Sequence, residues 1–271
     1  MKKQYDLEDL LAIMSKLRDP ENGCPWDLEQ TFETISPYTI EEAYEVDEAI
    51  RNKDMPALKD ELGDLLFQTI FQAQIAKEEK FFTFQDVVHS ISSKMVRRHP
   101  HVFGDVKIGN ATEQTNAWEV QKATERAKKA NSLGQPVSAL DGVTVGLPAL
   151  SRAVKLQNRA ARVGFDWPET DQVIDKITEE CTELYQEVEA GAAPLRVKEE
   201  FGDLLFVISN LGRHFNLDPE ECLREANVKF ERRFHAVEAK LWEQDKSPSQ
   251  SSLEEMDALW DEVKKEEAGT S

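Results

Sequence analysis

The sequence predicts an all-α protein built from two tandem copies of one helical domain. Apolar residues recur at intervals of three and four along most of the chain, the period of amphipathic helices, and no alternating strand pattern of any length occurs. A series of acidic and basic motifs also appears twice in the same order, which indicates an internal duplication. With 271 residues, 40% of them hydrophobic, each half can bury its own core.

The first half is expected to contain five helices. The first covers residues 7–17, and the Gly-Cys-Pro-Trp-Asp segment at residues 23–27 is predicted to form a compact loop. The second helix is expected to begin at Pro37 with Ser36 as its N-cap, because serine caps helices and proline suits the first helical position. Of the other three helices, one is predicted to begin near Met55, and the last two are predicted to cover about residues 83–99 and 112–130.

The second half is expected to contain five more helices. Pro194 and Pro219 stand where a first helical residue belongs, and Asp218 is a suitable N-cap. Residues 131–148 carry glycines and prolines without a helical period, which predicts a linker between a first domain, 1–130, and a second, 149–271. The predicted helices cover about residues 149–163, 169–189, 194–215, 219–242 and 253–267.

The charge and the cysteines narrow the class of protein. A formal net charge of −19 argues against a nucleic-acid backbone or an anionic membrane as the main partner, although a nucleotide could bind if a metal separated its phosphates from the carboxylates. The sequence has no apolar run of the roughly 18 to 20 residues that a membrane span needs, and no signal peptide is recognisable. Three dispersed cysteines argue against disulfides and a zinc site, so we expect a cytoplasmic location.

Five acidic residues in the second half predict a metal site. Glu179, Glu180 and Glu183 share one helical face, and Glu200 and Asp203 share another. If the two helices pack antiparallel, these carboxylates meet at one point and offer the all-oxygen environment that Mg²⁺ or Mn²⁺ prefers. The alternative is a solvated acidic helix face, which is common in a chain this acidic.

The first half repeats this acidic pattern. Glu41, Glu42 and Glu45 match the first acidic group, and Glu61 and Asp64 match the second. A solvated face has no reason to keep acids at matching positions in two diverged copies, so the repeat favours metal binding. Neither copy contains the Glu-x-x-His pairs of a di-iron site.

Basic residues at helical spacing suggest a phosphate ligand. Lys229 and Arg233 are four residues apart in the second half, as are Lys94 and Arg98 in the first, so each pair could bridge a phosphate chain. Ordinary charge pairing with nearby glutamates is the alternative. Trp260 could stack on a base or fill the core.

Several of these motifs together resemble the MazG family of nucleoside triphosphate pyrophosphohydrolases. The resemblance covers essentially the whole chain and rests on residues 23–27, on the Glu-Glu-x-x-Glu and Glu-x-x-Asp motifs of both halves, and on residues 97–103 and 163–167. It implies an all-α domain that dimerises into a four-helix core, requires Mg²⁺, and hydrolyses NTPs and dNTPs to the monophosphate and pyrophosphate. The metal ligands that it implies are Glu180, Glu183, Glu200 and Asp203 and, by the repeat, Glu42, Glu45, Glu61 and Asp64; the substrate-binding residues are Lys229, Arg232, Arg233 and Trp260.

The implied reaction is attack of water on the α-phosphorus, and Glu179 is our candidate to accept the proton of that water. Lys176 lies one turn before Glu180 and could hold the triphosphate, whereas the matching residue of the first half is Tyr38. We therefore expect the second half to carry most of the activity. Two alternatives stay open at this point: a dimeric helical interaction module, and a pyrophosphohydrolase for another polyphosphate such as a phosphoribosyl-ATP or an alarmone.

Overall fold

The computed structural model describes residues 4–132, 134 and 136–269, and no strand occurs among them, which confirms the all-α prediction. The chain divides into two compact units, residues 1–122 and 123–271. This division falls inside a helix, Ala111–Ser132, and not at the predicted linker. The predicted domain boundaries stay a prediction, and residues 133 and 135 of the predicted linker lie outside the described residues.

The first unit contains a helical hairpin that carries the acidic residues of the first half. This hairpin packs against an N-terminal helix and against the helix that follows the hairpin. No described helix of either unit is long and apolar enough to span a membrane. The helices are α1 Leu7–Leu17, α2 Pro25–Glu29, α3 Phe32–Arg51, α4 Met55–Glu78, α5 Phe84–Arg98, α6 Pro100–Phe103 and α7 Ala111–Ser132, the last of which crosses the division between the units.

The predicted start of α3 was wrong, because a capping box lies upstream of the proline. The hydroxyl of Thr31 accepts a hydrogen bond from the amide of Thr34 at 3.4 Å, and the Thr34 hydroxyl oxygen accepts one from the Thr31 amide at 2.8 Å. These bonds satisfy amides of the first turn, so the helix begins at Phe32. Pro37 consequently lies inside the helix.

The predicted loop at residues 23–27 was also wrong in part, since the short helix α2 begins there. Pro25 occupies the first helical position, where its missing N–H has no partner to lose, and Cys24 precedes it as the N-cap. The Leu28 amide donates to the Cys24 carbonyl at 3.0 Å. The turn therefore closes on local backbone bonds that the motif by itself did not reveal.

A buried arginine ties α1 to α2 and α4. The guanidinium of Arg18 donates to both carboxylate oxygens of Glu78, with Nη2 2.7 Å from Oε2, and also bonds the carbonyls of Asp27 and Gln30. It lies over the ring of Phe71 at 5.4 Å. Burial is the largest single effect on the pKa of Glu78 and raises it, but the hydrogen bonds from Arg18 and Gln74 and the charges of Arg18 and Lys77 together outweigh burial and leave the pKa below its usual range.

We expect Arg18→Met to lower the free energy of unfolding by roughly 1–3 kcal/mol. This loss is smaller than that expected for a fully buried ion pair, because Glu78 is partly exposed. Because the pKa of Glu78 is lower in the folded state, its contribution is present above about pH 4.5 and is lost as the pH falls through the folded value. Urea unfolding at pH 7 and at lower pH should therefore show the variant's deficit shrinking in acid. Lys59→Met, at a solvent-exposed ion pair, is the control and should change stability by about 0.5 kcal/mol or less. An equal loss of stability in both variants would contradict the stabilising role of the Arg18–Glu78 ion pair.

The second unit repeats the hairpin and adds a pair of C-terminal helices. Pro194 and Pro219 occupy first helical positions as predicted, and Asp218 caps its helix by accepting from the amide of Glu220 at 2.9 Å. Its elements are α8 Ala149–Ala161, α9 Thr170–Glu189, α10 Pro194–His214, α11 Pro219–Trp242, a short 3₁₀ turn at Pro248–Gln250, and α12 Leu253–Gly269.

The two hairpins, α3–α4 and α9–α10, turn in comparable ways. Each short connection contains a residue with left-handed backbone, Lys53 with φ of +54° in the first unit and Gly191 with φ of +63° in the second. Such a residue lets the chain reverse directly after a helix, and glycine adopts it without steric cost. The reversal brings the inward faces of the two helices of each hairpin together, and both acidic groups lie on those faces.

Candidate metal and phosphate site

Three carboxylates of the second unit form a compact cluster. Glu180 on α9 and Glu200 and Asp203 on α10 each place an oxygen within 4.8 Å of the others. Glu180 and Glu200 are buried, with 5% and 9% of their surface exposed, while Asp203 is exposed. Burying like charges this closely is costly without positive charge nearby, so the arrangement is suited to a cation.

A cation lies four residues before each buried carboxylate. Lys176 Nζ is 2.8 Å from Glu180 and 2.9 Å from Glu179, and these bonds raise the pKa of the lysine. Arg196 Nη2 is 2.9 Å from Glu200. Sequence reasoning identified Lys176 but missed Arg196, although the same spacing of four residues could have revealed it.

Burial is the largest cause that raises the pKa of Glu200. The charge of Arg196 opposes it, and the carboxylates of Glu183, Asp203 and Glu187 raise the pKa further. The ionised form of Glu200 is therefore disfavoured in the absence of further positive charge. A divalent cation would supply that charge.

The remaining two acidic residues of the motif lie outside this cluster. Glu183 is exposed and acts on Glu200 through its charge, but it is not one of the three carboxylates that meet. The side chain of Glu179 is 56% exposed and bonds Lys176. Their assignments, metal ligand for Glu183 and proton acceptor for Glu179, stay predictions.

The first unit brings together Glu42, Glu45 and Glu61, so the counterpart of Glu183 joins this cluster, and Asp64, the counterpart of Asp203, lies nearby. None of these carboxylates forms an ion pair with a lysine or arginine in the described part of the chain. The hydrogen bond that Glu42 accepts comes from the amide of Gln68, at 3.4 Å. Burial, followed by the charges of neighbouring carboxylates, raises the pKa of both Glu42 and Glu61.

The two units differ at both cation positions. Tyr38 occupies the position that corresponds to Lys176, and Ala57, four residues before Glu61, occupies the position that corresponds to Arg196. The first cluster is also less buried than the second. The second cluster thus combines buried acids with two nearby cations, and the first does not.

The other predicted substrate-binding residues gather on α11 and α12. Arg232 and Arg233 both bond Glu267, with Nη2 distances of 2.8 Å, and the bond from Arg233 is the largest cause that lowers the pKa of Glu267. Arg233 also lies over the ring of Trp260 at 5.8 Å. Lys229 is exposed on α11, the helix that also carries both arginines.

Trp260 is part of the packing between these two helices. Its ring lies 5.4 Å from that of Phe230 and packs against the cluster of Val237, Leu241, Leu259 and Val263. Within the described residues, no hydrogen bond or ion pair joins Lys229, Arg233 or Trp260 to the three-carboxylate cluster. The basic set and the acidic set are therefore separate groups in this chain.

The family model of the MazG nucleotide pyrophosphohydrolase domain matches the chain twice, at residues 30–103 and 169–237. Each match contains one of the two acidic clusters. The chain belongs to this family. The repeated match also confirms that the MazG-like domain is duplicated.

Known proteins resemble the chain over nearly its full length. It is 49% identical over 262 residues to the nucleoside triphosphate pyrophosphohydrolase of Escherichia coli K12, a match that covers 96% of this chain and 98% of that protein. It is 44% identical over 257 residues to a nucleoside triphosphate pyrophosphohydrolase/pyrophosphatase MazG of Thermotoga maritima, covering 95% of each. It is 43% identical to the uncharacterised protein YabN of Bacillus subtilis, covering 97% of this chain and 52% of YabN.

The donor set of this MazG-family chain fits Mg²⁺ or Mn²⁺. Both clusters consist of carboxylate oxygens, which these hard cations prefer, and neither includes a histidine or a cysteine. In the second unit the ligands offered by the described residues are Glu180, Glu200 and Asp203, with Glu183 close by.

Proposed function

We propose that this protein hydrolyses nucleoside triphosphates, both NTPs and dNTPs over a broad range of bases, to the monophosphate and pyrophosphate in a Mg²⁺-dependent reaction, with its main active site in the second unit. The observation that carries the proposal is the cluster of Glu180, Glu200 and Asp203, two of them buried, with Lys176 and Arg196 each four residues before a buried acid. The names of the full-length relatives support the reaction class.

In this proposal the three clustered carboxylates hold the cation. When bound, Mg²⁺ supplies charge neutralisation and Lewis acidity at the phosphate chain. If a bound cation neutralised Glu180 and Glu200, the hydrogen bonds that Lys176 and Arg196 now make to these two carboxylates would become free for phosphate oxygens. Arg196 would keep its ion pairs with Glu187 and Glu199. Glu179 lies outside the cluster and is largely exposed; if Lys176 moved from Glu179 to a phosphate oxygen, the Glu179 carboxylate could accept the proton of the attacking water.

We assign Lys229, Arg232, Arg233 and Trp260 to substrate binding as a second group. Glu267 neutralises both arginines, so phosphate would have to displace it before they could bind the substrate.

A homodimer would give the hairpin α9–α10 a partner. An apolar stripe on α10 supports the homodimer. Its residues, Phe201, Leu205 and Ile208, are spaced four and three apart and are 52%, 38% and 42% exposed, and a four-helix core buries a stripe of this kind.

We propose the cytoplasm as the compartment, because all three cysteines are free thiols.

The test is to titrate the purified protein with Mg²⁺ and nucleoside triphosphates while following pyrophosphate release. We expect stoichiometric monophosphate and pyrophosphate that depend on the metal. A panel of all four bases in ribo and deoxyribo form, a phosphoribosyl-ATP and an alarmone would separate the proposed substrates from other polyphosphates. If none of the eight nucleoside triphosphates releases pyrophosphate, the proposal is refuted, even if another polyphosphate of the panel does.

A further inference from the structure

The helix α8 carries a basic stripe, Arg152, Lys155 and Arg159. These residues are spaced three and four apart, so they lie on one face of the helix over about 10 Å. Lys155 is exposed, and the two arginines are half-buried. Within the described residues none of the three side chains forms an ion pair or a hydrogen bond, and Arg152 Nε and Arg159 Nη1 are covered without an acceptor. The basic stripe therefore lacks a counter-charge in this chain.

An unpaired basic stripe is unusual in so acidic a protein. Acidic residues outnumber lysine and arginine by 52 to 33. Basic side chains elsewhere in the second unit have carboxylate partners, among them Lys176, Arg196, Arg213, Arg232, Arg233 and Lys240. The helix α8, by contrast, carries three cations and no acidic residue.

The first unit gives an internal comparison. Its helix α1 corresponds to α8, because each precedes a hairpin and packs on the second helix of that hairpin, α4 or α10. Three charged residues lie on α1, and two of them, Glu8 and Asp9, are acidic. The range 149–161 of α8 also lies outside both matches to the family model. The basic stripe is thus particular to the second unit and is not required by the duplicated domain.

The spacing of the basic stripe favours an acidic helix as its partner. Carboxylates three and four residues apart on a helix repeat with the same axial rise as the cations, so the two rows can face each other in register. A single phosphate group is too compact to contact cations that are about 10 Å apart. Nucleic acids and anionic membranes are repelled by the net charge of −19.

The helix α3 carries an acidic stripe that fits, Glu41, Glu45 and Glu48. All three are exposed, and none forms an ion pair with a lysine or arginine in the part of the chain that the structure describes. Their intervals of four and three are those of the basic stripe read in the opposite chain direction. An antiparallel α3 would therefore place Glu48 opposite Arg152. Its Glu41 would then lie opposite Arg159.

We propose that α8 of one copy of the chain docks on α3 of a second copy, with the basic stripe and the acidic stripe in antiparallel register. In a dimer with twofold symmetry this contact forms twice. The contact is separate from the apolar stripe on α10. It also does not rest on the proposed catalysis, because it involves neither nucleotide nor metal.

Exposed aromatic side chains lie at one end of the proposed contact. Phe165, whose amide donates to the Ala160 carbonyl at the end of α8, is 81% exposed. Tyr38, one turn before Glu41 on α3, is 40% exposed. Surface ion pairs contribute little individually, and aromatic residues are enriched in protein interfaces, so this apolar area would add to the attraction between the two stripes.

The test mixes two charge-reversed variants, Arg152→Glu/Arg159→Glu and Glu41→Lys/Glu48→Lys. In a dimer of either variant with itself both contacts join like charges, whereas in a mixed dimer both join opposite charges. After equilibration, we expect native mass spectrometry to find about three quarters or more of the dimers mixed, above the one-half that random pairing gives. Raising NaCl to about 1 M should return the proportion towards one-half, because the Debye length falls to about 3 Å.

The matched control places the same charge changes at other exposed positions. It mixes Lys107→Glu/Lys265→Glu with Glu254→Lys/Asp257→Lys, so both pairs of variants have the same net charges. We expect about one-half of the dimers of the control pair to be mixed. An equal excess of mixed dimers in the control pair would assign the effect to net charge and would overturn the docking of α8 on α3.

The single variant Lys155→Glu, at the exposed position of the basic stripe, replaces the double arginine variant if that one does not fold. It should also give more than one-half mixed dimers with Glu41→Lys/Glu48→Lys, and circular dichroism checks that each variant is folded. Random pairing at low salt would overturn the proposal, and it is the result expected of a dimer held only by the apolar stripe on α10. A wild-type protein that sediments as a monomer at every concentration tested would overturn it too. Each of these results is independent of whether the protein releases pyrophosphate.

Discussion

Glu200→Gln is expected to lower pyrophosphate release by about 100-fold or more, whereas Glu61→Gln leaves most of the rate. Glu200 is buried, meets Glu180 and Asp203, and pairs with Arg196 at 2.9 Å, so the substitution removes a charged ligand from the more complete cluster. Glu61 occupies the corresponding position in a cluster without a cation partner among the described residues. Turnover is measured as pyrophosphate released at saturating nucleotide and Mg²⁺.

The two variants control for each other, because the same isosteric change is made at matching positions of two duplicated hairpins. Circular dichroism should show the helical content of the wild-type protein in both. If Glu61→Gln abolishes turnover and Glu200→Gln does not, the assignment of the active unit is reversed. If both variants abolish it, the two clusters act together.

Asp203→Asn is expected to remove most of the stabilisation that Mg²⁺ confers on the protein, together with the metal-dependent activity. A ligand at about 100 times its dissociation constant stabilises a folded protein by about 2.7 kcal/mol, which corresponds to a rise in Tm of roughly 5–10 °C for a unit of this size. Without metal, the variant should be at least as stable as the wild-type protein, because one of three clustered negative charges is gone. Thermal unfolding with Mg²⁺ and with EDTA measures both effects.

Asp257→Asn, an exposed position on α12, is the control and should keep the full response to Mg²⁺. Full activity of Asp203→Asn in excess EDTA would end the metal hypothesis. A normal Mg²⁺ response in Asp203→Asn would place the cation elsewhere and leave the cluster without a function.

Local patterns predicted most of the helices, since periodicity and caps act within a few residues. α11 begins at Pro219 behind Asp218 as expected, because a proline at the first helical position and an acidic N-cap both act locally. The start of α3 was missed because two signals competed. The Thr31–Thr34 capping box satisfies the amides of the first turn, and the helix then continues through Pro37.

The candidate site was only partly predictable. Spacing along one helix predicted that Glu200 and Asp203 share a face, but which carboxylate of α9 meets them depends on how the two helices cross. That crossing brings Glu180 into the cluster and leaves Glu183 outside it. Arg196 was missed although it stands four residues before Glu200, and only the folded chain shows the ion pair between the two side chains.

The sequence by itself determined the helical class, the duplication, the family and the acidic residues of both hairpins, because these follow from short-range periodicity and from motif order. Only the tertiary structure decided which acids are buried together and that Glu180 and Glu200, the two buried acids of the second unit, form ion pairs with Lys176 and Arg196. The reason is that burial and the meeting of side chains from different helices are properties of packing, which residue spacing along one helix does not specify.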